Sequence, residues 1–170
     1  DSEIIVVDDN SSDKTTEIVK KFKLIKLIEL ENNEGVGNAR NIGADNAKYE
    51  ILCFIDSDLI ITKNSIINLV KKLNQNKTIG SVSAIQKVIN LNTKDWSSNF
   101  VCLKSCYGFE HVEKEAEFSA CASEFCVMSK EILKQVGGWK SLRNAGGEEF
   151  DLGYKINQLS KKNYKIIDAS

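Results

Sequence analysis

The chain has 170 residues, 42% hydrophobic and 28% charged, which suits a single folded domain with a real core and excludes a disordered segment. Lys plus Arg number 23 against 24 acids, for a net charge of −1, so there is no basic footprint for nucleic acid and none is expected as a partner. No apolar run reaches the roughly 18–20 residues of a membrane-spanning helix, and no signal peptide is visible; a cytoplasmic protein is expected, with peripheral membrane association left open.

Taken in order, the chain alternates strand and helix. "EIIVV" (Glu3–Val7) is a β-branched run of the kind buried on both faces of a parallel sheet. Asp13 or Ser12 is placed to cap a helix over Lys14–Phe22, whose Ile18, Val19 and Phe22 form an apolar face. "LIKLIEL" predicts a second strand. A loop, "NNEGVG", leads to a helix over Asn38–Lys48 that packs through Ala39, Ile42 and Ala47, and "YEILCFI" predicts a third strand ending at Asp56. A helix from about Lys63 to Leu73 and a strand "IGSVSAIQKVI" follow. From Asn90 to Ser119 the pattern weakens, and an irregular or helical insertion is expected. "EFCVMS" then predicts a strand, "KEILKQVGGW" a helix closed by glycines, "EEFDLGYKINQLSKK" a helix and "YKIID" a last strand. Such alternation predicts an α/β domain, Rossmann-like, with a mostly parallel central sheet and flanking helices over residues 1–170.

The five cysteines, Cys53, Cys102, Cys106, Cys121 and Cys126, are an odd number and read as reduced thiols. Their spacings lack the tight pair of a zinc knuckle. The single histidine, His111, lies in the acidic stretch "FEHVEKEAE" and reads as an exposed bystander.

Chemistry concentrates at two acidic strand ends, Asp8-Asp9 and Asp56-Ser57-Asp58. Ligands of such sheets bind beyond the carboxyl ends of the strands, so both pairs are candidates for one crevice. Two readings compete. In a phosphoreceiver signalling domain, Asp56 would be the phosphoacceptor, with Ser83 and Lys104 as its hydroxyl and lysine partners. That reading leaves Asp58 and the long segment after Lys104 unexplained, including "GGWKSLRNAGGEEFDL".

The second reading covers nearly the whole chain. "VVDDNSSDKT", "NEGVGNARNIGADNAKYEILCFIDSD", "GGW" at Gly137–Trp139 and "GEEFDL" at Gly147–Leu152 occur in the order of four landmarks of the inverting, GT-A-fold glycosyltransferases of family 2, which the sequence resembles. The resemblance implies sugar transfer from a nucleotide diphosphate sugar, UDP-linked by preference, to a hydroxyl of a glycan, lipid-linked or protein acceptor. It implies Mn²⁺ or Mg²⁺ as cofactor: Asp58 would bind the metal and Asp56 would contact the ribose or support the metal shell. Two aspartates at i and i+2 on an extended strand end project to one side, as that task requires.

By the same resemblance, Asp9 is the expected contact to the nucleotide base and Asp8 its neighbour or a structural acid. Arg40 is either a counter-charge near the diphosphate or an ordinary helix-surface arginine. The expected general base is Glu149, where the family motif has aspartate, with Glu148 as the rival. Asp151 would cap or orient the site. Trp139 would stack on a sugar, unless it packs in the core. A strand before Asp1 and a segment after Ser170 are expected to be missing from this stretch. A catalytically silent sugar-nucleotide-binding domain therefore stands as an alternative.

Overall fold

The computed structural model describes residues 1–62, 64–85, 115–141 and 147–167. The expectations for His111, Cys102, Cys106, Lys104 and most of the weakly patterned insertion lie outside these residues.

Strand β1 (Ile4–Asp8) is joined by helix α1 (Thr15–Val19) to strand β2 (Ile25–Glu29), and the two strands pair in parallel with Ile4 opposite Ile25 and Asp8 opposite Glu29. The Asp13 carboxylate accepts the Thr15 amide at 2.9 Å, but the residue in the cap position is Lys14, which makes no side-chain cap bond. The helix is shorter than its periodicity predicts, however, and Ile18 and Phe22 stand more than half exposed instead of forming a packed face.

Helix α2 (Val36–Asn46) starts two residues earlier than expected, because Gly35 turns the chain with φ of 90°. Strand β3 (Ile51–Ile55) and helix α3 (Ser65–Leu73) follow, then β4 (Ile79–Ile85), whose first six residues are all buried. In place of an irregular or helical stretch, Glu115–Phe118 forms strand β5. β6 (Phe125–Ser129) leads directly into α4 (Lys130–Gln135), capped by the Ser129 hydroxyl, which accepts the Ile132 amide at 3.1 Å. That helix ends on Gly137 and Gly138, both at φ of 78°, with the Gly138 amide returning to the Leu133 carbonyl. Helix α5 (Glu148–Gln158) and strand β7 (Lys162–Ile167) complete the described chain.

The larger sheet has the order β3-β6-β4-β7-β5. It is mixed, a correction to the mostly parallel sheet expected: β4 and β7 run parallel, while β6 is antiparallel to both β3 and β4, and β5 to β7. Alternation with helices signals strands, but it does not carry their direction.

Two apolar clusters sandwich this sheet. On one face Leu52, Cys126, Met128, Leu133, Leu152 and Ile156 pack beneath α4 and α5. On the other, Leu69 and Leu73 of α3 pack on Val82, Phe125 and Val127. A buried polar tie crosses from α5 to the sheet: Asn163 donates to the Gly153 carbonyl at 3.1 Å and accepts from the Ser81 hydroxyl at 2.6 Å.

Gly153 is needed for that approach, since a Cβ there would lie 2.6 Å from both Ala120 Cα and the Ser119 carbonyl. Gly153→Ala is expected to lower stability by about 1–3 kcal/mol, read as a lower urea midpoint at unchanged slope.

The three described cysteines are unpaired by disulfide. Burial pushes the Cys53 thiol up to about 12. A hydrogen bond with Cys121, reinforced by burial, raises Cys126 well above its ordinary value. Thiolate is the reactive form, so at pH 8 Cys53 and Cys126 are expected to resist alkylation in the folded protein, and Cys121, fully buried, is out of reach of the reagent. Peptide mapping after iodoacetamide should show Cys53, Cys121 and Cys126 modified only after unfolding.

Candidate active site

The site is assembled around helix α2. Its N-terminal loop is held by Asp9, whose Oδ1 and Oδ2 accept the Glu34 and Gly35 amides, each at 2.8 Å. The adjacent Asp8 is 5% exposed; its Oδ2 accepts the Ser11 amide at 3.0 Å, while Oδ1 is buried without a hydrogen-bond partner. Asp9, the expected base contact, is thus also the clasp of this loop. Each of its oxygens retains a second lone pair, and Asp8 contributes a wholly unpaired acceptor beside it.

At the second residue of the helix, Gly37 lies against the Lys140–Ser141 backbone, where any Cβ would collide with the Lys140 carbonyl. One turn further on, Asn41 grips the backbone of Trp139 from both sides: its Nδ2 donates to the Trp139 carbonyl and its Oδ1 accepts the Trp139 amide, each at 2.8 Å. Sequence reading gave neither Gly37 nor Asn41 a role. Both stand inside a quoted motif, but no local rule links an amide on a helix to a glycine turn 98 residues away.

Of the two settings expected of Arg40, the helix surface is not the one it takes. Its side chain is 9% exposed, so it is not a surface arginine. Nη2 donates to Asp56 Oδ1 at 2.9 Å and Nη1 to Glu148 Oε1 at 3.2 Å. Its guanidinium carbon sits 4.9 Å from the centroid of the Trp139 ring. One buried cation therefore joins the end of β3, the start of α5 and the glycine turn.

Trp139 is 2% exposed and meets Phe54 edge to face at a centroid distance of 5.2 Å. With Arg40 against the ring and core around it, the indole is a packing element. Of the two settings expected of it, this is core packing rather than an open face.

The acids fall into two groups. Asp56, Glu148 and Arg40 form the connected cluster, with Asp56 partly exposed and its amide fixed by the Glu124 carbonyl at 2.8 Å. Asp58 stands exposed on the turn that follows β3, with no hydrogen bond or ion pair among the described residues. At the start of α5, Glu148 is buried, whereas Glu149 is half-buried. Glu149 Oε2 accepts the Gly147 amide at 3.1 Å, which leaves Oε1 without a partner among the described residues. Asp151 pairs with Lys155 one turn along at 2.7 Å and does not join the Arg40 cluster.

Among the described residues no three His, Cys, Asp or Glu side chains gather into a group able to hold an ion. What the turn does offer is hard oxygen: the Asp58 carboxylate and the second oxygen of Asp56. That set suits a divalent cation whose remaining ligands are water and phosphate oxygen, the pattern Mg²⁺ favours.

The fold is that of the GT-A nucleotide-sugar glycosyltransferases, and solved members superpose on it. GalNAc-T7, crystallised with UDP, GalNAc and Mn²⁺, matches with a TM-score of 0.73 and 20% identity, over 96% of this chain and 36% of the other. The mannosyltransferase PcManGT of Pyrobaculum calidifontis, with GDP-Man and Mn²⁺, gives 0.71 and 22% over 98% and 47%. The Staphylococcus aureus TarS fragment 1-349 in complex with UDP gives 0.67 and 24% over 97% and 48%.

The sequence itself matches the family model for glycosyl transferase family 2 over residues 1–137, and the chain belongs to that family. Similar curated proteins include the poly-β-1,6-N-acetyl-D-glucosamine synthase of Staphylococcus epidermidis, 28% identical over 149 residues, covering 82% of this chain and 35% of the relative. The synthase of S. aureus strain COL is 24% identical over 147 residues, covering 81% and 34%. The chain thus spans about a third of the length of these relatives. Family membership removes the phosphoreceiver reading. Asp56 also pairs with Arg40, and Ser83 is buried on β4, with the whole of β6 between it and β3.

Proposed function

We propose that the protein transfers a hexosyl or N-acetylhexosaminyl group from a UDP-linked donor to an acceptor hydroxyl, with inversion at the anomeric carbon, in glycan or cell-envelope synthesis. The observation that carries this reading is the Arg40 bridge. It brings a diphosphate-suited pair of aspartates, Asp56 and Asp58, next to a helix start that presents a partly accessible carboxylate. The names of the curated relatives favour an N-acetylglucosaminyl donor, and the UDP-bound neighbours favour uridine.

Each residue then has a task. Asp8 and Asp9, with the Glu34–Gly35 loop, form the nucleoside end of the site, where buried carboxylate oxygens select donors such as an imide N–H or ribose hydroxyls. Asp58, helped by Asp56, would hold a divalent cation, Mn²⁺ or Mg²⁺, which when bound offsets the charge that collects on the departing diphosphate. Glu149 accepts the proton of the attacking acceptor hydroxyl through its unpaired Oε1, as the new C–O bond forms opposite the breaking sugar–phosphate bond.

Glu148, buried on Arg40, is not that base; it anchors the helix from which the base projects. The acceptor is a glycan, a lipid-linked intermediate or a protein hydroxyl. The protein works in the cytoplasm or at the cytoplasmic face of a membrane, a placement that its free thiols favour. Among the described residues no helix is long and apolar enough to cross a membrane.

Calorimetric titration of UDP and GDP, each with and without Mn²⁺, tests the donor site. Mn²⁺-dependent binding of UDP over GDP supports it, and indifference to both nucleotides under all conditions contradicts it. Binding without turnover would favour the silent binder, for which the glutamate at position 149 is the motivating departure.

A further inference from the structure

We propose that Arg40 is a positioning residue that sets the spacing between the donor-side turn and the base-bearing helix, and is not a counter-charge for the diphosphate. This rests on the glycosyltransferase reading of the site. Three observations carry it. Asp56, two residues from the exposed Asp58, and Glu148, next to Glu149, are both bonded to one guanidinium, at 2.9 Å and 3.2 Å. That guanidinium is nine-tenths buried, so it cannot meet a diphosphate without leaving the cluster. Its third neighbour, Trp139, is itself fixed by Asn41 from the same helix, one position along from Arg40.

Chemistry explains why arginine stands here. Two carboxylates from elements 92 positions apart in sequence would repel and separate without a cation between them. A planar fork reaches both at once with defined direction, while an ammonium is a point charge that cannot hold two acids in one fixed geometry. The bond to Glu148 holds the first turn of α5, and hence the Glu149 carboxylate, at a set distance from the β3 turn. Misplacing a reacting group by about an ångström costs on the order of a hundredfold in rate, so the link acts on turnover more than on binding.

The experiment is a double-mutant cycle in the full-length protein with Arg40→Lys, Glu148→Gln and the pair, measuring donor KM, kcat, UDP affinity with Mn²⁺, and the urea midpoint. Each single change is expected to lower kcat by about ten- to a hundredfold with UDP affinity held within about threefold. The double variant should lose less than the product of the two single losses in kcat and less than their sum in midpoint, because both changes cut the shared Arg40–Glu148 link.

Full kcat in Arg40→Lys would overturn the proposal, since any cation would then suffice. So would kcat losses that multiply in the double variant, or a loss of UDP affinity confined to the arginine change. The urea midpoints report the link without any turnover, and additive midpoint shifts would also overturn it. A wild-type protein that transfers no sugar while the midpoints remain coupled would instead count against the proposed function alone.

Discussion

Asp58→Ala is expected to abolish the Mn²⁺ dependence of UDP binding, lowering affinity in the presence of the metal by about tenfold or more and turnover by a hundredfold or more. The size follows from its setting. Asp58 is exposed on the turn after β3 and makes no hydrogen bond or ion pair among the described residues, so its removal leaves no buried group unsatisfied. Stability should therefore stay within about 0.5 kcal/mol of wild type. A titration without metal should not distinguish the variant from wild type. Asp56→Ala differs, because it also strips Arg40 of a partner. It is expected to lose stability as well as donor affinity, and the contrast between the two aspartates separates a ligand from a ligand that is also a strut.

The second large effect belongs to the start of α5. Glu149→Gln is expected to reduce kcat by about 10²–10⁴-fold, the range of general-base catalysis, with donor affinity and urea midpoint little changed. Glu148→Gln should look different: a smaller loss of kcat and a lower midpoint, because a buried ion pair is broken. Rapid-quench or UDP-release kinetics on the two variants assigns the roles. Equal losses of kcat with equal stability would contradict the division between base and anchor. Glu149→Asp is informative too, since shortening the side chain by one methylene withdraws the carboxylate by roughly an ångström while leaving its chemistry intact.

Much of this was legible in the residues themselves. The β-branched run marked β1, and the acids marked where β1 and β3 end, because both follow from local pattern. Gly137–Gly138 as a helix stop was readable for the same reason: it satisfies backbone groups within a few residues. What stayed hidden depends on distant partners. β6 lies antiparallel to its neighbours, and nothing in "EFCVMS" states a direction.

Arg40 and Trp139 show the same limit at the site. The sequence leaves Arg40 open between a counter-charge and a surface arginine, and Trp139 open between sugar stacking and core packing. Their burial is imposed by Glu148 and Asn41, 108 and 98 residues away. The helix α1 fails in the opposite sense: its periodicity is real, but Ile18 and Phe22 are exposed in the structure. A pattern that proposes a packing face does not supply the surface that covers it.

The most direct measurement of the central claim is transfer itself. The full-length protein would be incubated with UDP-N-acetylglucosamine, with UDP-linked hexoses in parallel, Mn²⁺ and a short glycan acceptor. The released nucleotide would be quantified, and the anomeric configuration of the new linkage read by NMR. The account predicts donor-dependent UDP release and a product whose anomeric configuration is opposite to that of the donor, lost in Glu149→Gln. A folded protein that binds UDP with Mn²⁺ yet consumes no donor, or a product that retains the donor's configuration, would contradict it.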